Sequence, residues 1–288
     1  MKIGIIGNGF VGKATNVLKC KDIEIIMYDI NPELCVPPNT NLDDICRCDI
    51  VFVSVPTPVT TEGNYFLGIV ESVMSDISKH SKNIEKEPLV VLRSTVTPGV
   101  SDNLNCFFMP EFLTEKNFLN DFKTNPDWIF GLKNDDKQNF LFKRLMQNLM
   151  TTAKNNGCIE SDNCHFVANS EAEMIKLFRN NYLSVKVSFC NEIYDYCQSK
   201  NINYENVRSL AVRDKRIGGS HTNVPGHDGN RGFGGTCFPK DTSALLYDMS
   251  INNVQSHVIS GAVYRNKNID RPNVWNEAEN GRGIIKKN

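Results

Sequence analysis

The chain has 288 residues, 40% of them hydrophobic and 23% charged, with 32 basic against 33 acidic side chains and a formal net charge of −1. That balance suggests neither nucleic acid nor a membrane surface as partner, and no uninterrupted apolar run is long enough to span a bilayer. What remains is small-molecule chemistry on a chain long enough for two domains.

The N-terminus, Met1-Lys2-Ile3-Gly4, enters an apolar run at once, without the charged-then-apolar order of a secretory signal. Ten cysteines scattered from Cys20 to Cys237 fit reduced thiols better than a disulfide framework, so a cytoplasmic enzyme is expected. Cys46-x-Cys48 lacks the second half of a zinc site and reads as packing, and no metal is expected.

Lys2 to Ile6 predicts a parallel strand covered on both faces. Gly7-Asn8-Gly9-Phe10-Val11-Gly12 follows without a gap, ahead of a helix over Lys13 to Leu18, and a second strand from Ile23 to Tyr28 ends in Asp29. In that context the glycine pattern reads as a dinucleotide fingerprint. Gly7 serves the tight turn, Gly9 the approach of a pyrophosphate and Gly12 the packing of helix on strand, while Asp29 accepts from the ribose hydroxyls and selects NAD over NADP. A βα turn that binds no phosphate is the bland alternative.

Further strands are predicted at Asp49 to Val55 and Pro88 to Leu92, each ending in a proline-containing turn, Pro56-Thr57-Pro58 and Ser94-Thr95-Val96-Thr97-Pro98. Ligands of doubly wound sheets sit at the carboxyl ends of strands, which makes Thr57 and Thr95 candidates to face the cofactor, helix capping being the other use of such hydroxyls. Phe66 to His80 reads as a helix and Asn83 to Glu87 as a connector. Phe107 to Glu115 reads as a strand with an acidic turn, where Glu111 or Glu115 is a candidate general base and two solvated carboxylates are the alternative. A strand at Trp128 to Gly131, a helix from Gln138 to Met150 and a strand at Cys164 to Val167 complete a Rossmann-type α/β domain, a doubly wound parallel sheet, over residues 1–167.

Residues 168–267 predict an all-α central domain built on one long helix, Asn169 to Lys200, opened by a capping box of Ser170 and Glu173. Ile175, Phe178, Tyr182, Val185, Phe189, Ile193 and Tyr196 form one apolar stripe, and Leu183, Val187, Cys190 and Tyr194 a second. A helix apolar on two faces is expected to run through a core and to contribute to a homodimer interface. Lys176 and Asn180 lie one turn apart on that helix. Burying a lysine is costly unless it has work such as holding an oxygen that becomes negative; a salt bridge to a nearby glutamate is the duller use. A helix over Tyr204 to Val212 follows, then a polar, glycine-rich loop in which Arg213, Lys215 and Arg216 are anion contacts or solvated charge.

The loop leads into Arg231-Gly232-Phe233-Gly234-Gly235-Thr236-Cys237-Phe238-Pro239-Lys240-Asp241. Three glycines in four positions let the backbone approach a ligand closely, and the helix expected after them places Cys237 at its N-terminus, where the dipole, Lys240 and Arg231 favour thiolate. Asp241, four residues on, is brought back toward the thiol. This is a layout for covalent catalysis, set against a buried thiol before an ordinary helix. Ile251 to Lys267 is the last predicted helix, and a frayed tail is expected over residues 268–288.

These segments resemble the UDP-glucose/GDP-mannose dehydrogenase family. The resemblance rests, in order, on the glycine fingerprint, Val55-Pro56-Thr57-Pro58, Ser94-Thr95-Val96, Pro110-Glu111-Phe112-Leu113-x-Glu115, Glu173-x-x-Lys176-Leu177-x-x-Asn180, Arg216-Ile217-Gly218 and Gly232-Phe233-Gly234-Gly235-x-Cys237-Phe238-Pro239-Lys240-Asp241. It implies a four-electron oxidation of the C6 alcohol of a nucleotide sugar to a carboxylate, with two NAD used in succession. Cys237 would trap the aldehyde as a thiohemiacetal, which becomes a thioester for water to cleave. Lys176 and Asn180 would stabilise oxyanions, Thr95 and Asp241 would position water or exchange protons, and Glu111 or Glu115 would assist hydrolysis. By the same resemblance NAD contacts Gly7, Gly9, Phe10, Val11, Gly12, Asp29, Thr57, Thr95 and Glu115, with Phe10 standing where many relatives have tyrosine. The nucleotide sugar contacts Phe112, Leu113, Lys176, Asn180, Phe233, Gly234 and Gly235, together with Arg216 of a neighbouring subunit.

Family members continue into a second Rossmann-like domain that has no counterpart in these residues. Three expectations follow: a separate polypeptide supplies that part of the nucleotide pocket, or the site is weak, or the chain is a remnant that still binds NAD without turnover. A β-hydroxyacid dehydrogenase, which shares the Rossmann domain, the long helix and a lysine four before an asparagine, is the competing two-electron reading.

Overall fold

The structure, a computed structural model, describes residues 1–82, 84–274 and 283–284. Asn83 of the expected connector and residues 275–282 and 285–288 of the expected tail lie outside these. By its internal contacts the chain forms two units, the first made of residues 1–57 and 67–176, the second of 58–66 and 177–288. The boundary thus falls inside the long helix, between Lys176 and Leu177.

The first unit is a seven-stranded sheet. Its strands are β1 (Lys2–Ile6), β2 (Glu24–Tyr28), β3 (Ile50–Val53), β4 (Leu89–Leu92), β5 (Phe107–Phe108), β6 (Trp128–Leu132) and β7 (Cys164–Ala168), and their order is β2-β1-β3-β4-β5-β6-β7. Successive strand residues face opposite sides. Ile3, Ile5, Ile25, Met27, Ile50 and Phe52 therefore enter one buried cluster, and Ile6, Ile26, Val51 and Val53 the other. Apolar residues at every position, rather than every second one, are what a sheet covered on both faces requires. Cys46 and Cys48 sit in the second cluster, where burial pushes the Cys48 thiol up to about 12, in keeping with packing.

The sheet departs from the all-parallel expectation at one pairing. Phe108 of β5 meets Gly131 of β6 antiparallel, whereas β6 runs parallel to β7. The two-residue β5 replaces the longer strand expected from Phe107 onward. Gly131 also lets Asn169 approach, since a Cβ there would lie 2.5 Å from the Asn169 Oδ1.

The helices of this unit are α1 (Phe10–Thr15), α2 (Leu42–Cys46), α3 (Gly68–Ser81), α4 (Val100–Asn103), α5 (Phe118–Lys123) and α6 (Asp136–Asn155). Helix α1 starts three residues earlier than the sequence predicts, inside the glycine motif, and passes into a 3-10 turn at Asn16–Leu18. The chain leaves β1 for β2 on one side and returns to β3 on the other, so the turn after β1 lies at the switch point where doubly wound sheets hold ligands.

Helix α7 (Asn169–Ser199) supplies the last residues of the first unit and the first helix of the second, which continues with α8 (Tyr204–Ala211), α9 (Phe238–Ile251) and α10 (His257–Arg265). The capping box expected at the start of α7 is replaced by a longer-range use of its carboxylate. Glu173 accepts from the Gly99 and Ser101 N–H groups at 2.6 and 2.8 Å and so satisfies the start of α4.

The two stripes of α7 differ in burial: Cys190 is buried with Leu183, Val187 and Tyr194 partly so, whereas aromatics of the first stripe stand exposed. Phe178, Tyr182, Phe189 and Tyr196 are all more than half exposed on this single chain, while Asn180, Asn181, Ser184, Ser188 and Asn191 are buried. Such polar residues tolerate burial because they find partners along the backbone. Asn181, Ser184 and Asn191 each donate to the carbonyl four residues earlier, and Ser188 donates to Ala262 O.

The last predicted helix starts later than expected, α10 running from His257 to Arg265, because α9 occupies the chain as far as Ile251. The expected frayed tail is ordered at its start: a π-turn covers Asn266–Asp270, and Asp270, Arg271 and Val274 are buried. No helix among the described residues is long and apolar enough to cross a membrane.

Candidate active site

The first unit carries a cradle whose glycines each meet a different demand. Gly7 has φ +94°, and a Cβ there would lie 2.4 Å from Ser54 O. A Cβ on Gly12 would sit 2.0 Å from Gly7 O, so α1 packs against the turn only without a side chain. At Gly9 the same Cβ would meet nothing within 4 Å, which leaves the backbone open to a pyrophosphate. Asp29 closes the end of β2. Its Oδ2 accepts from Asn8 N at 2.8 Å and its Oδ1 from Asn31 N at 2.9 Å, which fixes the orientation of the carboxylate. The residues present thus fit a dinucleotide, and by its acidic acceptor NAD. Phe10 opens α1 with its ring edge-on to Phe118. At the ends of β3 and β4 the Thr57 hydroxyl donates to Thr95 O at 2.8 Å, tying the two turns together.

In the same unit Lys176 and Glu111 form an ion pair of 2.8 Å with side chains only 5% and 6% exposed. This realises the duller of the two uses foreseen for Lys176, and it also brings two candidate catalytic residues together. Leu113 N donates to the other Glu111 oxygen at 2.9 Å, and the Lys176 ammonium stands 5.8 Å from the Phe112 ring centroid. Glu115 is exposed in the turn that follows.

Arg93, which the sequence reading passed over, shares a cleft with Glu111, Phe112, Leu113, Phe122 and Trp128. It is almost wholly buried; that burial draws its guanidinium down to about 10, against the pull of the Glu111 charge, and it donates to the Thr15 hydroxyl. A charged residue directly after the apolar Leu89–Leu92 run was the available signal.

The second unit holds the other half of the candidates. Cys237 is the half-buried N-cap of α9, and its carbonyl accepts from Asp241 N at 2.9 Å in the first helical turn. Asp241 is buried to 1% exposure and collects donors. Tyr65 Oη reaches Oδ1 at 2.7 Å, Lys240 Nζ the same oxygen at 2.5 Å, and Asn180 Nδ2 reaches Oδ2 at 2.6 Å. Three donors around one carboxylate hold its plane in a fixed orientation. The Lys240 ammonium, expected to favour the Cys237 thiolate, is thereby committed to Asp241.

Arg231, expected in the same role, is committed elsewhere. It pairs with Asp195 at 2.8 Å and Asp270 at 2.7 Å, Arg265 pairs with both of these aspartates, and Arg271 pairs with Asp228 at 2.6 Å. This network holds the glycine turn against the segment after α10. Asn266 accepts from Phe233 N at 2.8 Å and donates to Phe233 O at 2.9 Å, and a Cβ on Gly234 would lie 2.2 Å from the Arg271 guanidinium carbon. Phe233 is buried and Gly235, at φ +72°, is exposed. Arg216 extends into solvent and pairs with Asp214 at 2.5 Å. Among the described residues no group of three or more metal-ligating side chains occurs.

A mostly parallel sheet whose switch point carries this glycine cradle, with an acidic residue at the end of the next strand, marks a dinucleotide-binding domain, and its relatives make the chain an NAD-dependent dehydrogenase. More narrowly, the chain belongs to the UDP-glucose/GDP-mannose dehydrogenase family: residues 38–150 match its NAD binding domain and residues 170–268 its central domain. It is 27% identical over 316 residues to a UDP-glucose 6-dehydrogenase of Rickettsia bellii, an alignment covering 95% of this chain and 68% of that protein. Among solved structures, a UDP-glucose dehydrogenase from Pyrobaculum islandicum superposes with a TM-score of 0.76 at 23% identity, over 92% of this chain and 67% of that one. A 3-hydroxyisobutyrate dehydrogenase from Mycobacterium tuberculosis shares the fold with a TM-score of 0.67 at 12% identity, over 91% of both chains. The chain thus spans about two thirds of the length of the two UDP-glucose dehydrogenases compared with it.

Proposed function

We propose that the chain oxidises the C6 alcohol of a nucleotide sugar to the carboxylate, with UDP-glucose to UDP-glucuronate as the leading reaction, through a covalent adduct on Cys237. The observation that supports this most is Asp241, buried and held by Asn180, Lys240 and Tyr65 in the first turn of the helix that Cys237 caps.

The Gly7 to Gly12 turn and Asp29 would hold NAD, which would supply the hydride acceptor for each of two oxidations of the substrate carbon. The Cys237 thiolate adds to the aldehyde carbon of the first product, forming a C–S bond and an oxyanion, and Lys176 and Asn180 hold that oxygen. The second oxidation leaves a thioester. Water, relieved of its proton by Glu111 or Glu115 and positioned by Thr95 and Asp241, adds to the carbonyl carbon, and the C–S bond breaks to return the thiolate. Phe112, Leu113 and Phe233 to Gly235 contact the sugar nucleotide in this reading, and Arg216 reaches the substrate of a second copy.

The exposed aromatic face of α7, Phe178 to Tyr196, supports a homodimer. All ten cysteines are free thiols, which suits a reducing compartment such as the cytoplasm.

The test is NADH stoichiometry with UDP-glucose, UDP-N-acetylmannosamine and GDP-mannose. Two NADH per sugar in the wild type, reduced to one or none in Cys237→Ala, is expected; one NADH per sugar in the wild type overturns the four-electron reading. The fold shared with 3-hydroxyisobutyrate dehydrogenase across 91% of both chains favours a second reading, two-electron oxidation of a β-hydroxyacid. That chemistry needs no thiol, so full activity of Cys237→Ser on a β-hydroxyacid decides for it. Tight NAD binding with turnover of neither substrate class would leave a dinucleotide-binding homologue.

A further inference from the structure

Residues 58–66 connect β3 to α3 but belong by their contacts to the second unit. Val59 pairs with Tyr65 in an isolated antiparallel bridge, and Thr60 N donates to Asn64 O at 2.8 Å. At the tip, Gly63 has φ +101° and lies so near α9 that a Cβ would be 2.7 Å from Ser243 Oγ. A small hairpin is therefore pressed on α9, and it delivers Tyr65 to the start of that helix. The ring is 6% exposed, its hydroxyl donates to Asp241 Oδ1 at 2.7 Å, and the Lys240 ammonium stands 4.5 Å from its centroid. Burial, reinforced by the neighbouring Asp241 charge, holds the phenol well above its ordinary range, so Tyr65 remains a proton donor. The groups facing it are the Asp241 carboxylate, the Lys240 ammonium and the Cys237 thiol, all on α9 or its cap.

We propose that Tyr65 is a positioning residue of the candidate active site, one whose hydroxyl fixes the Asp241 carboxylate and draws part of its negative charge away from Cys237. A hydrogen bond to an ionised acceptor both orients that acceptor and disperses its charge. With the hydroxyl gone, Lys240 and Asn180 remain on Asp241, but more of its charge opposes ionisation of the neighbouring sulfur.

The proposal rests on the Cys237 reading of the function, and its test does not need turnover. Iodoacetamide alkylation of Cys237, followed by peptide mass spectrometry across pH on the full chain, reads the thiolate directly. Tyr65→Phe is expected to slow alkylation at neutral pH about threefold and to move its midpoint to higher pH. Replacing Tyr65 by 3-fluorotyrosine, a stronger donor of the same shape, is expected to move the midpoint the other way, and it keeps the test available should Tyr65→Phe fail to fold.

In an Asp241→Asn background the Tyr65→Phe shift should vanish, because the effect passes through that carboxylate. If the enzyme turns over, kcat of Tyr65→Phe falls about tenfold with KM within about twofold. An unchanged alkylation profile in both Tyr65 variants, or a shift that persists with Asp241→Asn, overturns the proposal even in an active dehydrogenase. A shift found in a chain without sugar oxidation sustains the role of Tyr65 while the oxidative reading fails.

Discussion

Replacing Lys176 by methionine tests the strongest claim of the first unit, that its buried ion pair holds Glu111 in place. Both side chains are about 95% buried at a separation of 2.8 Å, so the substitution strands a carboxylate with little water to solvate it. Removing one member of such a pair costs about 3 to 5 kcal/mol. Two features of the structure lower that figure. Leu113 N still donates to Glu111 at 2.9 Å, and the Arg93 guanidinium lines the same cleft. The expectation is therefore about 3 kcal/mol, the low end of the range. In urea, with a slope on the order of 2 kcal/mol per molar, the midpoint falls by roughly 1.5 M at pH 7.

The double variant Lys176→Met/Glu111→Leu removes both charges and should recover to within about 1 kcal/mol of wild type, since a buried pair replaced by apolar groups is often neutral. Circular dichroism during urea titration measures both. A midpoint for Lys176→Met within about 0.3 M of wild type, or a double variant as unstable as the sum of its parts, would refute the reasoning. In the proposed reaction Lys176→Met also loses about 100-fold in kcat, the usual effect of deleting an oxyanion donor.

Gly12→Ala forces a methyl to within 2.0 Å of Gly7 O, so a loss of about 1 to 3 kcal/mol and at least about tenfold weaker NADH binding are expected by thermal melting and fluorescence titration. Burial raises the Glu173 carboxyl above its ordinary 4.5, against the hydrogen bonds from Ser101 and Gly99. Its contribution is therefore fully present below pH 4.5 and is lost as pH rises through the raised value. Urea midpoints of wild type minus Glu173→Gln should decline between those limits, and a flat or rising difference contradicts the assignment. Tyr182→Glu with Phe189→Glu places charges on the exposed face of α7 and should yield a monomer by sedimentation, with the melting of the monomeric chain unchanged.

The features legible from the sequence are those governed by short-range chemistry. Glycines 7, 9 and 12 after an apolar run, the acidic residue at the end of the next strand and the glycine turn before Cys237 are local patterns, and the sheet and the cap of α9 follow from them. At α7 the apolar spacing marks one half-buried stripe around Cys190 and one stripe whose aromatics are exposed on the single chain. Asparagines and serines hydrogen-bonded along the helix share the buried side with Leu177, Cys190 and Cys197, a solution that hydropathy alone does not reveal.

Other features depend on partners far along the chain. Glu173 reaches back more than seventy positions to α4, Tyr65 reaches forward 176 positions to Asp241, and Arg231 is claimed by Asp195 and Asp270 before it can act on a thiol. No local window contains both ends of such contacts.

The hairpin at residues 58–66 has a practical outcome for anyone dissecting this chain. Its fold-mates begin at Leu177, so no single cut yields the second unit intact. A fragment starting there would contain Cys237, Asn180 and Asp241 yet lose the phenol that donates to Asp241, and a fragment ending at Lys176 would carry a stranded strip of someone else's core. Peptide 58–66 added in trans to the later fragment would be the direct way to find out how much of that core the strip completes.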